Sequence, residues 1–95
     1  MITHIILIKL KDRNEDAVNS MKEKLLGMKE KIEALTSLSV GADFFHAEIS
    51  YDIAMIAQVE SKEALSAYLN HPVHIEVGKY IESVGAQVAA ADYES

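Results

Sequence analysis

The apolar residues of this chain show two kinds of spacing, one typical of strands and one typical of helices, in alternating segments. The order of these segments restricts the possible folds most strongly. Apolar residues at every second position are typical of strands, whereas spacings of three and four residues are typical of amphipathic helices. Residues 18–35 show the helical spacing, which predicts one helix of about five turns behind the start signals Asp12 and Asn14. A second helical region begins at the N-cap Ser61, and Pro72 opens a further helix that ends near Gly85. The strand pattern covers residues 2–11, 36–47, 51–60 and 86–93.

The segment order β-α-β-β-α-β predicts an α+β, ferredoxin-like fold, with a four-stranded antiparallel sheet and the helices on one face. The other face would then expose part of one set of side chains, or of the residues that alternate with them. This set is Ile5, Leu7, Phe45, Ile56 and Val88. A soluble monomer rarely exposes so large an apolar surface. We therefore expect a second copy to cover this face, giving a homodimer whose two sheets enclose a barrel, a dimeric α/β barrel.

Composition excludes several classes of protein. A length of 95 residues without a linker or repeat indicates one domain spanning residues 1–95. The formal net charge of −6 disfavours a nucleic-acid binder, which needs a concentrated basic face. The absence of cysteine excludes disulfides, thiolate zinc sites and thiol nucleophiles. No apolar run is long enough for a membrane helix and no signal peptide is recognisable, so we expect a cytoplasmic protein without membrane contacts.

The densest group of polar and aromatic residues is the segment Tyr68-Leu69-Asn70-His71-Pro72-Val73-His74. Imidazole titrates near neutral pH, so His74 is the candidate general base, and Tyr68 could donate a hydrogen bond to a substrate oxygen. His71 is a candidate ligand-binding residue, although its place before Pro72 favours capping of the following helix. Burial of Tyr68 and His74 for packing alone is the competing interpretation.

His4 begins the first strand and could line the same pocket as His74 if the two elements meet. A three-histidine site with His71 is conceivable, but the His-x-x-His spacing is weak and no cysteine or adjacent carboxylate supports it. We therefore predict no metal site and no cofactor. His46 is expected at the surface or the sheet edge, and Asp43 is expected to stabilise a turn rather than act as an acid.

The chain also resembles a known family, the stress-responsive A/B barrel (Dabb) domains, over residues 2 to 93. The Tyr-x-x-His-Pro-x-His core is the most specific part of this resemblance. The motifs in chain order are His4 before an apolar strand, Gly41-x-Asp43, Tyr51-Asp52, Ser61-x-Glu63-Ala64-Leu65-x-x-Tyr68-x-x-His71-Pro72-x-His74, and Asp92.

The resemblance implies a ferredoxin-like protomer that forms a dimeric α/β barrel. Some plant members look like polyketide cyclases, in which the tyrosine and the second histidine of the motif act on the bound chain. Those roles would fall on Tyr68 and His74, with His4 as a further pocket residue. Family members can also bind magnesium through backbone carbonyls, here near residues 29–35, but this chain lacks the proline often found in that loop.

Three functions remain open from the sequence. The first is a dimeric protein that binds a small molecule in the barrel cavity and has no assigned reaction. The second is a proton-transfer enzyme, polyketide-cyclase-like or isomerase-like, in which His74 is the base and Tyr68 the hydrogen-bond partner. The third, a cofactor-dependent monooxygenase or haem-handling protein, is disfavoured because only His4, His71 and His74 could ligate iron.

Overall fold

The strands form one antiparallel sheet in the order β2-β3-β1-β4. In this computed structural model, which describes all 95 residues, the helices cover one face of that sheet and the ferredoxin-like prediction is confirmed. No helix has the length and apolar character needed to span a membrane. The elements are β1 (Ile2–Lys9), α1 (Glu15–Leu26), α2 (Met28–Lys31), β2 (Ser37–Ala42), β3 (Ile53–Val59), α3 (Lys62–Leu69), α4 (Pro72–Ser83) and β4 (Gln87–Glu94).

The first helical region is shorter than predicted and is divided in two. Gly27 separates α1 from α2, and at Ile32 the backbone turns extended, with φ −115° and ψ 105°. Ile32 and Leu35 are nevertheless buried, at 1% and 4% exposure. The prediction of a continuous helix to Leu35 was therefore wrong, because the apolar spacing records burial against the sheet even where the backbone is no longer helical.

The other helix starts follow the predicted capping residues. The side chain of Asn14 accepts the amide N–H of Ala17, and the hydroxyl of Ser61 accepts that of Ala64. Nδ1 of His71 accepts the amide N–H of Val73 at 3.0 Å, directly before α4. His71 therefore has the capping position that its place before Pro72 favours.

The two faces of the sheet differ in burial. On β3 the residues that face the helices are buried, whereas Ala54 and Ile56 between them are exposed. Ile56 pairs with Ile5 in the register, and Leu7 pairs with Ala54, so this open face carries the apolar residues that were expected there. Two of the five expected residues lie elsewhere: Val88 pairs with Ile8 on the helix-covered face, and Phe45 lies in the loop after β2.

The connection between β2 and β3 begins earlier than predicted, because β2 ends at Ala42 rather than at residue 47. Asp43 accepts the amide N–H of His46 at 2.7 Å, which is the turn role that its sequence position indicates. His46 itself has φ 54° and an exposed side chain.

A buried carboxylate fastens the far end of this loop to β1. The side chain of Asp52 is 5% exposed and accepts the amide N–H of Leu10 and the Nε–H of Arg13, both at 2.8 Å. The backbone N–H of Asp52 also donates to the carbonyl of Ile8 at 2.9 Å. These contacts fix the end of β1 against the start of β3, and so help to set the register that positions the residues of β1.

Candidate functional site

Tyr68 lies between two histidines that three separate elements bring together. His4 is on the helix-covered face of β1, Tyr68 is in the last turn of α3, and His74 is in the first turn of α4. The ring centroid of Tyr68 lies 5.6 Å from that of His4 and 4.6 Å from that of His74, both edge to face. Since Pro72 starts α4 only four residues after Tyr68, the helix break sets the contact between Tyr68 and His74.

His4 is buried and is oriented by an acid on the neighbouring strand. Its Nδ1 contacts a carboxylate oxygen of Asp92, its register partner on β4. Because a carboxylate oxygen accepts hydrogen bonds, Nδ1 is the donor in this contact. Nε2 is buried and has no hydrogen-bond partner, whereas the side chain of Asp92 is 42% exposed.

His74 is held by the end of the preceding helix. Its Nδ1 donates to the carbonyl oxygen of Leu69 at 3.1 Å, and this leaves the lone pair on Nε2. Burial lowers the pKa of His74 below its usual 6.5; the Leu69 carbonyl opposes this shift and the nearby His4 adds to it. The imidazole is therefore neutral near pH 7 and can accept a proton at Nε2.

Tyr68 is fully buried, and its hydroxyl has only a weak partner. The phenol oxygen lies 4.0 Å from the sulfur of Met28, which is a poor acceptor. Burial, and secondly the charge of Asp92, raise the pKa of Tyr68 to about 12. Tyr68 thus remains a phenol at physiological pH, with a proton available for a stronger acceptor.

Tyr68 and His74 line a half-open cavity of about 230 Å³. The cavity lies between the sheet and the helices, and eight of its ten lining residues, Tyr68 among them, are hydrophobic. The remaining lining residues are Ile6, Leu25, Met28, Met55, Val77, Gly78, Ile81 and Val88. This arrangement provides a small, mainly apolar space with Tyr68 and His74 in its wall.

Comparison with known proteins identifies the family. The profile of the stress responsive A/B barrel domain (Dabb) matches residues 2–95. The chain belongs to the stress-responsive A/B barrel family. An uncharacterized protein of Streptomyces coelicolor is 33% identical to it over an alignment of 97 positions, which covers 99% of each chain. A stress-response A/B barrel domain-containing protein of Arabidopsis thaliana is 29% identical over 98% of this chain, which spans only 46% of that protein's length.

Solved structures similar to this A/B barrel domain include proteins described as dimeric and ferredoxin-like, of unknown function. One from Thermobifida fusca is 27% identical, with a TM-score of 0.86, covering 99% of this chain and 90% of that one. Another, from Bacteroides fragilis, is also 27% identical, with a TM-score of 0.83, covering 99% and 95%. The architecture derived from the sequence is thus that of the family.

In this A/B barrel domain, the candidate residues Tyr68 and His74 lie on the helix-covered side of the sheet. We expected a ligand in the space between two sheets, but Tyr68 and His74 line a cavity on the opposite, helix-covered face. His4 contacts Tyr68 edge to face and does not itself line the cavity, and His71 caps α4 and is not among the lining residues. The three-histidine metal site does not form, and no group of three His, Asp or Glu side chains is arranged to bind a metal ion.

Asp92 appeared in the sequence only as part of the family motif and had no predicted role. The signal that could have found it is the strand register: once β4 pairs antiparallel with β1, a carboxylate falls directly opposite His4. The lining residues Val77 and Ile81 are spaced four apart on α4, as on one face of a helix, but this local spacing does not predict the cavity beside them.

The lowered pKa of His74 predicts how stability changes with pH. The unfolded chain takes up a proton near the usual histidine value of about 6.5, whereas folded His74 takes it up only at lower pH. The free energy of unfolding should therefore fall as the pH drops from 7 to 5. In the variant His74→Gln this contribution is absent, and its stability should fall less steeply. Urea unfolding at several pH values checks this; parallel curves for the two proteins would contradict it.

Proposed function

We propose that this stress-responsive A/B barrel domain binds a small, mainly apolar molecule that carries a carbonyl or hydroxyl oxygen, within the cavity of each protomer. The cavity that combines an apolar lining with Tyr68 and His74 is the observation that carries this proposal. A cavity of about 230 Å³ is smaller than the roughly 300–1,000 Å³ common for drug-sized ligands, which favours a compact molecule.

The polar groups suit an oxygen-bearing ligand. The phenol of Tyr68 lacks a strong acceptor, so its O–H can donate to a ligand oxygen without breaking a good hydrogen bond. Nε2 of His74 can accept a ligand O–H because Nδ1 is already committed to Leu69. The apolar wall would exclude water from both contacts and so strengthen them.

We also propose that the domain works as a homodimer that associates through the open face of the sheet. Ile5, Leu7 and Ile56 on that face are not covered by any element of the protomer. The dimeric state described for the structurally similar proteins supports this assembly. The helix-covered cavity would then remain within each protomer, on the side away from the partner.

A titration with two matched probes tests ligand binding. Acetophenone and ethylbenzene share a ring and a two-carbon chain, but only acetophenone has the carbonyl oxygen. We expect chemical-shift changes in the cavity for both, with tighter binding of acetophenone by about 1 kcal/mol for one added hydrogen bond. Tyr68→Phe should remove this preference, since only the hydroxyl is lost. His74→Ala should alter binding and leave the dimer intact.

The exposed histidine provides a control. His46→Ala should bind both probes as the unaltered protein does, because His46 lies outside the cavity lining. Shift changes confined to the open sheet face, or an acetophenone preference that survives Tyr68→Phe, would contradict the proposal.

The second candidate function is proton transfer, which the neutral imidazole of His74 next to the phenol of Tyr68 favours. In a bound ketone, Nε2 of His74 would remove a proton from the carbon beside the carbonyl, giving an imidazolium and an enolate. The O–H of Tyr68 would stabilise the enolate oxygen by donating a hydrogen bond. In the same titration run in D₂O, this function requires deuterium to enter the methyl group of acetophenone, and requires His74→Ala to abolish the exchange.

A further inference from the structure

The loop between β2 and β3 holds the three most exposed large apolar side chains of the protein. Phe44, Phe45 and Ile49 are 88%, 77% and 90% exposed, and no other large hydrophobic residue exceeds 51%. Three such residues within six positions form a contiguous apolar tip, whereas scattered single residues would need no explanation. We call Phe44, Phe45 and Ile49 the loop tip.

Hydrogen bonds within the loop maintain this exposure. Asp43 accepts the N–H of His46 at 2.7 Å, and the N–H of Ala47 donates to the hydroxyl of Ser50 at 3.1 Å. The N–H of Ser50 returns a bond to the carbonyl of Ala47 at 3.0 Å. The two ends of the loop are joined by the N–H of Asp43, which donates to Asp52 at 2.8 Å. The loop tip is thus presented on a folded support.

A shallow hollow joins the loop to the open face of the sheet. It has a volume of about 450 Å³, and six of its nine lining residues are hydrophobic. Leu7 and Ala54 line it from the sheet, and Ile49 and Tyr51 line it from the loop. Gly41 and Ala54 are paired in the register, and because neither has a large side chain, little projects from the sheet at this point. The hollow can therefore accept a bulky side chain from outside.

The opposite end of the open face has a different character. There Ser37 donates to Gln58 at 3.0 Å, Gln58 donates to Thr3 at 3.4 Å, and Thr3 contacts the hydroxyl of Ser95 at 2.8 Å. These side chains satisfy one another and would gain little from burial. The apolar part of the open face is thus concentrated at the loop end, where it is continuous with the loop tip.

The surroundings of the loop tip favour a second copy of this chain over a membrane surface. The charged residues within the loop beside the tip are the acids Asp43 and Glu48, and the one nearby lysine, Lys9, lies over the ring of Tyr51 at 6.0 Å. The whole chain has a net charge of −6, which anionic lipids would repel. In a twofold dimer the same surface patch of both protomers forms the interface. The loop tip of each protomer can then enter the hollow of the other, because the loop tip and the hollow lie side by side.

We propose that Phe44 and Phe45 of one copy insert into the hollow beside the same loop of a second copy, and that the partner's phenylalanines fill the first hollow in return. This inference rests on the proposed homodimer and assigns its main anchor. Burying two phenyl rings in each direction would make the loop tip the strongest apolar contact between the protomers.

Sedimentation equilibrium of matched variants tests the anchor. The double variant F44S/F45S should raise the dimer dissociation constant by on the order of 10⁴-fold, since the homodimer loses four buried rings and each contributes roughly one factor of ten. Ala54→Trp, which fills the hollow, should also weaken the dimer. The control L26S/I75S removes two exposed apolar side chains from the helices, and it should leave the dissociation constant within about twofold.

Cross-linking gives a second measurement that does not depend on dimer strength. Since the chain has no cysteine, Phe45→Cys and Ala54→Cys can be made in separate samples, mixed, and treated with a short bis-maleimide. The inference requires a mixed cross-linked dimer of the two variants.

The outcomes separate this inference from the proposed dimer. A dimer that persists unchanged in F44S/F45S, without the mixed cross-link, would overturn the loop anchor and leave the homodimer in place. A monomer at all concentrations would overturn both. Loss of binding to lipid vesicles in F44S/F45S, with an unchanged dimer, would show that the loop tip serves a membrane instead.

Discussion

Replacing Tyr68 with alanine is expected to lower the free energy of unfolding by about 3–5 kcal/mol, the cost of removing a buried aromatic ring. Tyr68 is among the largest fully buried side chains of the core and contacts both histidine rings. Its loss would leave His4 and His74 without the ring that separates them. Urea unfolding followed by circular dichroism, at one protomer concentration for all variants, measures the change.

The conservative variant separates the two roles of this residue. Tyr68→Phe keeps the ring and loses only a hydroxyl whose sole contact is the sulfur of Met28 at 4.0 Å. Its stability should therefore stay within about 1 kcal/mol of the unaltered protein, while the preference for a carbonyl-bearing probe disappears. A large loss of stability in Tyr68→Phe would mean that the hydroxyl is a structural group, and would remove the main donor from the proposed binding site.

The second large effect is expected at Asp52. In Asp52→Ala the buried amide of Leu10 loses its acceptor and Arg13 loses its partner, so the free energy of unfolding should fall by about 2–4 kcal/mol. Because the Arg13 side chain is 45% exposed, its share of this loss is small and the unsatisfied amide dominates. The same unfolding measurement applies.

Asp43 is the matched control, since it lies in the same loop and also accepts a backbone N–H. That N–H, of His46, is exposed and can bond to water instead, so Asp43→Ala should cost less than about 1 kcal/mol. Equal losses of unfolding free energy in Asp52→Ala and Asp43→Ala would contradict the expectation that the buried position of Asp52 makes its loss more costly.

The fold could be predicted from the sequence because each element carries its own local signal. Asn14, Ser61 and Pro72 mark helix starts, and the alternation along β3 separates its two faces. The errors arose where burial and backbone geometry diverge. Ile32 is buried without being helical, and Phe44 continues the apolar alternation of β2 while lying outside any strand.

The candidate site was only partly predictable. The spacing from Tyr68 to His74 across Pro72 gave two neighbouring side chains, because that contact is local in sequence. The cavity depends on which face of the sheet the helices cover, and this is decided by packing over the whole chain. The contact of Asp92 with His4 depends on an exact strand register between segments 88 residues apart, to which no local pattern points.

The position of β1 in the middle of the sheet has a consequence for synthesis. On the ribosome β1 emerges first and its neighbour β4 emerges last of the eight elements, so one edge of the central strand stays open until the domain is almost complete. Pairings between distant segments form slowly, because a long loop must close before they gain any contact. The apolar side chains of β1 are therefore the part of the nascent chain that most needs protection from aggregation, and His4 meets Asp92 only when β4 docks at the end of folding.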